Sequence, residues 1–384
     1  MRIAMIGQKG PALYGGIERH VEELAAELVQ AGHEVVVYAR SWYTPKSVHT
    51  HRGFTVIHTP GIHTKHLDAI THTLTATIHA ITHKFDIIHY HGVGPSLLSF
   101  IPRLLAPKTR VVATFHCIDR YHQKWNLFAR TMLHFGEWAA CRFPDRTIAV
   151  SKGIKNYCIN EYSTNPEYIP NGARFVTDTD PTLLEKYGLT KDRYVVMISR
   201  LVRHKGAHDL ITAWQKARED NPELKEYKLV IAGGSANTDD YVKEIKKQAK
   251  GDKSIVFLGW IKGAELDALF AHSTLLVHPS YNEGLPLTVL TAMSAARPVV
   301  LTNIPEHREL IDDTNLVFEP GDTITLSEKI AMIIKNPKMA VEAGRVNAIR
   351  ARTDYDWIDI RRQTEKIYLE EKDKVPSMAA VITK

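Results

Sequence analysis

Two basic residues, Arg200 and Lys205, have the charge and the spacing to hold an anionic ligand. They lie five positions apart, between a predicted strand and Gly206, which opens a predicted helix. Cations at the carboxyl end of a strand and against a helix N-terminus can bracket a diphosphate from two sides. The alternative is a pair of solvated surface residues, so the interpretation depends on what the rest of the chain places beside them.

A second candidate for ligand binding is the segment around Glu283, where a predicted buried strand is joined to a helix through one acidic side chain. Pro279 ends the strand, and Pro286 stands where the helix begins. Amides in such a turn lie near the positive end of the helix, where a phosphate or sugar oxygen finds donors. An ordinary loop of an α/β domain is the alternative. The candidate ligand-binding residues of the turn are Gly284, Leu285, Pro286, Leu287 and Thr288.

A glycine-rich loop follows the first predicted strand. Gly15 and Gly16 precede a helix N-terminus and would let the backbone approach a ligand closely. The glycine spacing of this loop does not match the G-x-G-x-x-G pattern of dinucleotide-binding domains, which argues against an NAD enzyme. A turn that merely requires positive φ is the alternative.

Strands and helices alternate along both halves of the chain, which predicts parallel sheets covered by helices on both faces. At 384 residues the chain exceeds the size at which one core stops growing, so we expect two domains, 1–170 and 171–356, joined by a polar linker. The predicted strands are 2–6, 33–39, 54–59, 86–91, 110–115 and 146–150, then 194–199, 228–232, 255–258, 274–278, 298–301 and 315–318. The predicted helices of the first half are 16–31, 65–83, 95–105 and 125–141.

Taken together, these motifs resemble the retaining GT-B glycosyltransferases of family four, the glycosyl transferases group 1. The resemblance covers nearly the whole chain and also rests on the segments 229–234, 257–261 and 296–300. It implies an α/β, GT-B fold of two doubly wound Rossmann-like domains facing across a cleft, with a helix at 357–374 packing back on the first domain. It also implies transfer of a hexose from a nucleoside-diphosphate sugar to a hydroxyl acceptor with retention, and neither a cofactor nor a divalent ion.

The resemblance assigns the reaction to four residues. Arg200 and Lys205 would neutralise the leaving diphosphate, whose charge develops in the transition state. Glu283 would hold hydroxyls of the donor sugar, and His116, just past a predicted strand, would contact the same sugar beside the reacting centre. No carboxylate stands out as a nucleophile, so we expect attack on the face that the diphosphate leaves.

The resemblance also assigns residues to donor binding. Ile261, in the loop after Gly259, is the family's position for packing against the nucleobase, and Gly16 would meet the donor phosphate. The family carries a second glutamate that bonds the ribose, but Thr291 occupies that position here. A threonine hydroxyl makes one neutral hydrogen bond where a carboxylate makes charged ones, so ribose anchoring is where this chain departs from its family.

Two residues are candidates for the acceptor side of the reaction. His91 ends a predicted strand, where the sheet topology places ligands. Asp119 follows His116 in one loop and could orient the acceptor hydroxyl, although capping a helix is an equal alternative. Cys117, between them, stands where the family commonly has a glycine.

Histidine is abundant, with 20 residues, 15 of which precede residue 171. His79 and His83 stand one helical turn apart, a spacing that some metal sites use. No carboxylate or cysteine completes a recognisable site, so no metal ligand is predicted. The three cysteines also lack metal-ligand spacing and fit reduced, structural thiols.

Charge is distributed unevenly along the chain. Residues 1–170 hold 18 lysines and arginines against 12 aspartates and glutamates, whereas the two classes balance in the remainder. A basic first domain suits a phosphate-bearing, glycan or lipid-linked acceptor, or peripheral contact with anionic lipid; simple solubility is the alternative. No nucleic-acid reader motif accompanies the charge. No apolar stretch could span a bilayer, and the first residues predict a strand. We therefore expect a cytoplasmic protein, with a peripheral position at the inner face of the membrane as an option.

Two other functions fit the same motifs. A nucleotide-sugar 2-epimerase would release free sugar and need no acceptor. A catalytically silent sugar-nucleotide sensor is the other, because the second family glutamate is replaced by Thr291. Assembly of a cell-surface glycan or glycolipid is the role that a hexosyltransferase of this kind would serve.

Overall fold

The structure is a computed structural model that describes residues 1–11, 13, 15–64, 67–118, 120, 127–176 and 179–370. The chain divides into two compact units. The first unit contains Met1–Asn171 and the chain from Trp357 onward, and the second contains Gly172–Asp356. None of the described helices is both long and apolar enough to cross a membrane.

The first unit is built on an eight-stranded sheet in the order β3-β4-β2-β1-β5-β6-β7-β8, parallel throughout except for the antiparallel pair β3 and β4. The strand order reverses between β1 and β5, the position at which doubly wound sheets open a ligand-binding crevice. The strands are β1 Arg2–Ile6, β2 Glu34–Ala39, β3 Thr50–His51, β4 Phe54–His58, β5 Ile87–His91, β6 Arg110–Phe115, β7 Arg146–Ala149 and β8 Glu167–Tyr168. The helices are α1 Gly16–Gln30, α2 Asp68–Thr82, α3 Val93–Ser96, α4 Phe100–Leu105, α5 Leu127–Arg142 and α6 Lys152–Tyr162.

The second unit is built on a six-stranded, fully parallel sheet in the order β11-β10-β9-β12-β13-β14. Its strand order reverses between β9 and β12, whose loops carry the basic pair and the glutamate turn. The strands are β9 Tyr194–Ile198, β10 Lys228–Ala232, β11 Ile255–Gly259, β12 Leu275–His278, β13 Val299–Thr302 and β14 Val317–Phe318. The helices are α7 Ala207–Asp220, α8 Asp239–Gln248, α9 Gly263–Ala271, α10 Leu287–Ser294, α11 Pro305–Arg308, α12 Thr323–Lys335 and α13 Pro337–Asp354.

The last helix, α14, spans Trp357–Leu369 and belongs to the first unit. It is fixed there by side chains of the sheet and of the α1–β2 turn. Tyr368 hydroxyl lies 2.7 Å from His89 Nδ1, and Glu365 accepts from His33 Nε2 at 2.6 Å. Arg110 of β6 donates to the carbonyl of Ile367 at 2.6 Å. Hydrogen bonds of this kind satisfy buried polar groups of the sheet as well as holding the helix.

The doubly wound α/β fold predicted from the sequence is confirmed, but four local features differ: the strands β3 and β8 and the helix α6 were not predicted, and one predicted helix is broken. The two-residue strands β3 and β8 were not predicted, because two residues are too few to show a period. The predicted helix 95–105 is two helices, α3 and α4, separated by turns at 97–99. Pro102 explains the break, since it has no N–H to bond the carbonyl of Leu98.

Gly206 lets the loop after β9 approach the loop after β12. Its φ is +72°, and a Cβ atom at this position would lie 2.1 Å from the carbonyl oxygen of Pro279. Tyr281 N–H donates to the carbonyl of His204 at 2.8 Å, and Ser280 Oγ donates to the same oxygen at 3.2 Å. The two loops are therefore one hydrogen-bonded unit.

We predict that Gly206→Ala destabilises the second unit more than Gly263→Ala. Both glycines have positive φ, at +72° and +61°, so both variants meet the left-handed strain of about 1–2 kcal/mol. Only Gly206 is crowded, because a Cβ at Gly263 meets no atom within 4 Å. Urea unfolding of both variants measures the difference, and equal losses of unfolding free energy would contradict the crowding of the two loops.

Candidate active site

Glu283 is the buried centre of the candidate site in the second unit. Its Oε1 accepts from Lys205 Nζ and also from His278 Nε2, which lies 2.6 Å away. Among the residues that the structure describes, none donates to the other carboxylate oxygen, Oε2. One oxygen is thus fixed by two cationic or protonated donors, and the other remains able to accept from a ligand hydroxyl.

Electrostatics keep this carboxylate ionised. Burial by itself raises the pKa of Glu283, but the charges of Lys205 and His278 outweigh it and hold the pKa well below the usual value. A carboxylate with such a low pKa is a weak base and a weak nucleophile. It is suited to binding hydroxyl groups through hydrogen bonds to its charged form.

His278 and His307 are members of this site that the sequence analysis did not identify. His278 is the last residue of β12, and its ring centroid lies 5.4 Å from that of His307 in α11. His307 Nδ1 lies 2.9 Å from Thr302 Oγ1, and burial lowers the pKa of His307 to about 3. His278 could have been found from its place at a strand end five residues before Glu283; His307 had no comparable signal.

The structure brings Lys205 to Glu283 but leaves Arg200 apart from it. Arg200 follows β9 by two positions, its side chain is exposed, and no described carboxylate pairs with it. Arg203, by contrast, pairs with Glu244. The Arg200 guanidinium is therefore available to an anionic ligand at the edge of the sheet where Lys205 also lies.

The turn after Glu283 leads into the N-terminus of α10. Pro286 is the N-cap, and no side chain caps the helix, so the first amides, those of Leu287 and Thr288, have no hydrogen-bond partner among the described residues. Gly284 and Leu285 are buried before it. Unpartnered amides at a helix N-terminus bind anions. The helix begins where the sequence predicts, and ligand binding by this turn stays a prediction.

The remaining donor-side residues of the second unit lie at two places. Thr291 is buried in α10 and donates its hydroxyl proton to the carbonyl of Leu287 at 2.8 Å, so that it can only accept from a further partner. Gly259 ends β11 with φ at +67°, and a Cβ there would meet no atom within 4 Å. Ile261 follows it and is buried.

In the first unit, the structure brings together His91 and His116, which the sequence analysis assigned to different roles, and places a third histidine beside them. His91 ends β5 and His116 follows β6, and His91 Nδ1 lies 3.3 Å from His116 Nε2. The ring of His20, from α1, lies 4.6 Å from that of His116. A histidine inside an otherwise apolar helix face gave no signal in the sequence. Asp119, the other acceptor-side candidate, lies outside the described residues.

Burial keeps these imidazoles neutral. It lowers the pKa of His20 to about 4 and that of His89, the neighbour of His91 in β5, to about 3. The pKa values of His91 and His116 are also held well below the usual value, first by burial and then by the neighbouring histidines. At neutral pH the four rings therefore offer lone pairs and N–H groups rather than positive charge.

The predicted glycines lie at the start of α1. Gly15 is the N-cap with an extended backbone at φ −172°, and Gly16 is the first helical residue. Neither has positive φ, so a turn that requires positive φ is not the reason for these glycines. A Cβ on Gly16 would meet no atom within 4 Å, which leaves space over the helix N-terminus.

Two groups of described side chains have the composition of a metal site: His20, His91 and His116 in the first unit, and His278, Glu283 and His307 in the second. In the second group the ammonium of Lys205 already pairs with Glu283, so a metal cation would meet a positive charge there. No ion pair among the described residues involves the first group.

Solved structures of known proteins share this architecture. Sucrose-phosphate synthase from Thermosynechococcus elongatus superposes with a TM-score of 0.81 at 18% identity, covering 96% of this chain and 98% of that chain. HepE from Anabaena, solved in complex with UDP-glucose, superposes with a TM-score of 0.77 at 20% identity, covering 96% of this chain and 99% of that chain. The two doubly wound units are those of the GT-B glycosyltransferases.

Sequence comparison agrees with the fold. The family model "Glycosyltransferase Family 4" matches residues 14–174, and "Glycosyl transferases group 1" matches residues 180–348. Glycogen synthase from Mycobacterium tuberculosis is 25% identical over 402 aligned positions, covering 97% of this chain and 95% of the relative. The chain belongs to the group 1 glycosyltransferases of family 4.

We predict that the free energy of unfolding falls as pH decreases below about 6.5, the usual pKa of histidine. The unfolded chain then binds protons that the buried imidazoles of the folded protein do not bind. The window extends down to the folded pKa values, about 4 for His20 and about 3 for His89. His89→Gln should reduce the slope of unfolding free energy against pH by up to about 1.4 kcal/mol per pH unit. Urea unfolding between pH 8 and pH 5 measures both slopes.

The control for His89→Gln is its behaviour at higher pH. Above about pH 7.5 neither state of His89 binds a proton, so the slopes of His89→Gln and wild type should coincide there. Glutamine can still bond the hydroxyls of Tyr368 and Thr114, which lie 2.7 Å from the two ring nitrogens of His89. Equal slopes below pH 6 would show that His89 is protonated in the folded protein.

Proposed function

We propose that the protein transfers a hexose from a nucleoside-diphosphate sugar to a hydroxyl acceptor with retention of anomeric configuration. The observation that carries the proposal is the arrangement of Glu283, whose Oε1 is held by Lys205 and His278 while Oε2 has no partner among the described residues. The names of one relative and of one structural neighbour support it: a glycogen synthase, and HepE, solved in complex with UDP-glucose.

The diphosphate is bound by charge and by backbone amides. Lys205 Nζ has three protons, one of which goes to Glu283, so two remain for phosphate oxygens. Arg200 offers an unpaired guanidinium two residues after β9. The first amides of α10 complete an anion site, and together these groups stabilise the charge that develops on the leaving diphosphate. We therefore propose that transfer needs neither a cofactor nor a divalent ion.

A transfer that retains configuration proceeds either through a nucleophile of the protein or through attack by the acceptor on the face that the diphosphate leaves, and we propose the second course. The Glu283 carboxylate, held by two donors at a depressed pKa, is not suited to attack the anomeric carbon. The bond from the anomeric carbon to the diphosphate oxygen breaks as the bond to the acceptor oxygen forms. The departing phosphate oxygen takes the acceptor's proton. Glu283 holds the sugar hydroxyls throughout, and the neutral imidazole of His116 bonds the same sugar.

Nucleoside binding is assigned to the loop after β11 and to α10. Ile261 packs against the base beside the open space at Gly259, and Thr291 accepts from a ribose hydroxyl because its own proton is committed to Leu287. A single neutral acceptor gives weaker ribose binding than a carboxylate would. The chain's own phosphate contacts then carry more of the donor affinity.

The acceptor belongs to the first unit, where His91 and Asp119 are the candidate residues. The excess of basic residues before residue 171 suits a phosphate-bearing, glycan or lipid-linked acceptor. We propose a cytoplasmic protein with peripheral contact at the inner face of the membrane, acting in cell-surface glycan or glycolipid assembly.

Product analysis tests the reaction itself. The protein is incubated with UDP- and GDP-hexoses, with and without candidate hydroxyl acceptors, and the products are identified by NMR. We expect an acceptor-dependent glycoside that keeps the anomeric configuration of the donor. Free epimerised sugar without an acceptor would instead identify a 2-epimerase, and tight nucleotide-sugar binding without turnover would identify a sensor; either result excludes the proposed transfer.

We predict that Lys205→Met lowers kcat/KM by roughly 10²–10³-fold, because it removes one preorganised donor to the developing diphosphate charge. Methionine keeps the length of the side chain, and His278 remains as a partner of Glu283. Lys186→Met is the matched control, since Lys186 is an exposed lysine of the same unit paired with Glu265. Steady-state kinetics decide: wild-type activity of a folded Lys205→Met protein excludes Lys205 from the mechanism.

A further inference from the structure

We propose that His20, His91 and His116 of the first unit form a binding site for a zinc-like transition-metal ion, with the fourth coordination position open to water or another oxygen ligand. The site is separate from the diphosphate contacts proposed in the second unit, but it includes His116, which the proposed transfer assigns to the donor sugar, and the acceptor candidate His91. The proposal also departs from the sequence analysis, which found no complete ligand set.

The ligand atoms are close to the spacing that a metal ion requires. One ring nitrogen of each histidine lies within 4.8 Å of the others. In a tetrahedral zinc site with Zn–N distances of about 2.0–2.1 Å, ligand nitrogens are about 3.3–3.4 Å apart. His91 Nδ1 and His116 Nε2 are 3.3 Å apart and share a hydrogen bond, so the ring that donates it must change tautomer before both nitrogens can bind an ion. The imidazole of His20 has to approach by at most about 1.5 Å to complete three nitrogen ligands.

A hydrogen bond at one ring nitrogen orients His20 for coordination through the other. His20 Nδ1 lies 2.8 Å from Asn171 Oδ1, and because an amide oxygen only accepts, Nδ1 carries the proton and Nε2 carries the lone pair. Metal-binding histidines are commonly fixed by such a contact at the other ring nitrogen. His20 Nε2 itself is buried with no partner among the described residues. A buried polar atom left without a partner costs free energy, which a bound metal ion would recover.

The chemistry of the three rings selects the class of ion. All three ligands are buried imidazoles. Neutral imidazoles favour zinc, cobalt, nickel and copper, whereas calcium and magnesium prefer oxygen ligands. The ring of Trp357, 5.4 Å from that of His20, forms an apolar wall that limits access of bulk water.

The test measures metal binding to the full chain after removal of bound metal with a chelator. Calorimetric titration with ZnCl₂ should give one site per chain, and the cobalt(II) form should show the visible absorption of a four-coordinate ion. His20→Gln should weaken zinc binding at least 100-fold. A six-coordinate cobalt spectrum, or no binding by the wild-type chain, would overturn the proposal without reference to any variant.

The chain's other histidines require a matched control. His79 and His83 of the first unit have stacked rings 3.8 Å apart and are the pair most able to bind zinc adventitiously. The double variant His79→Gln, His83→Gln should bind zinc as wild type does. Loss of binding in this variant, or unchanged binding in His20→Gln, would place the metal elsewhere. The titration contains no donor or acceptor, so its result is independent of the proposed transfer.

Discussion

The candidate site of the second unit depends on one buried carboxylate being held by a lysine ammonium and an imidazole N–H. A carboxylate taken out of water costs several kcal/mol unless it is paired and hydrogen-bonded. Lys205 and His278 supply that pairing at a single oxygen of Glu283. Lys205 can do so only because its loop runs against the loop that follows β12, and the missing side chain of Gly206 permits this approach. The other carboxylate oxygen stays open to ligand as a result.

In the first unit, by contrast, the buried ionisable groups beside the candidate site are histidines that carry no charge. His89 and His91 lie in β5 and His116 directly follows β6; all three are buried, and desolvation keeps their rings neutral. Neutral rings can bond sugar hydroxyls or ligate a metal ion, and they do not compete electrostatically for phosphate. Both units place these residues at the carboxyl ends of parallel strands. The second unit holds a fixed charge there, whereas the first offers neutral imidazoles with lone pairs.

Much of the fold was predictable because its strands and helices produce patterns that short stretches of the sequence show. Apolar runs of five or six residues such as β1, β6 and β9, separated by amphipathic helices, define a parallel sheet covered on both faces. Pro286 marked the start of α10, and the basic pair and Glu283 were found from their positions at strand ends. The prediction failed at the hairpin strand β3 and at the helix broken before Pro102, where two residues or one missing N–H decide the outcome.

The sequence by itself determined the fold class, the family, and the residues whose type suits phosphate and sugar, because each depends on order and spacing along the chain. Only the tertiary structure decided which of them meet. His278 and His307 join Glu283, and His20 joins His91 and His116, although no short-range pattern connects them. Parallel strands that are distant in sequence end at one edge of a sheet, and burial there sets the charge of each group, so partnership and protonation arise only on folding.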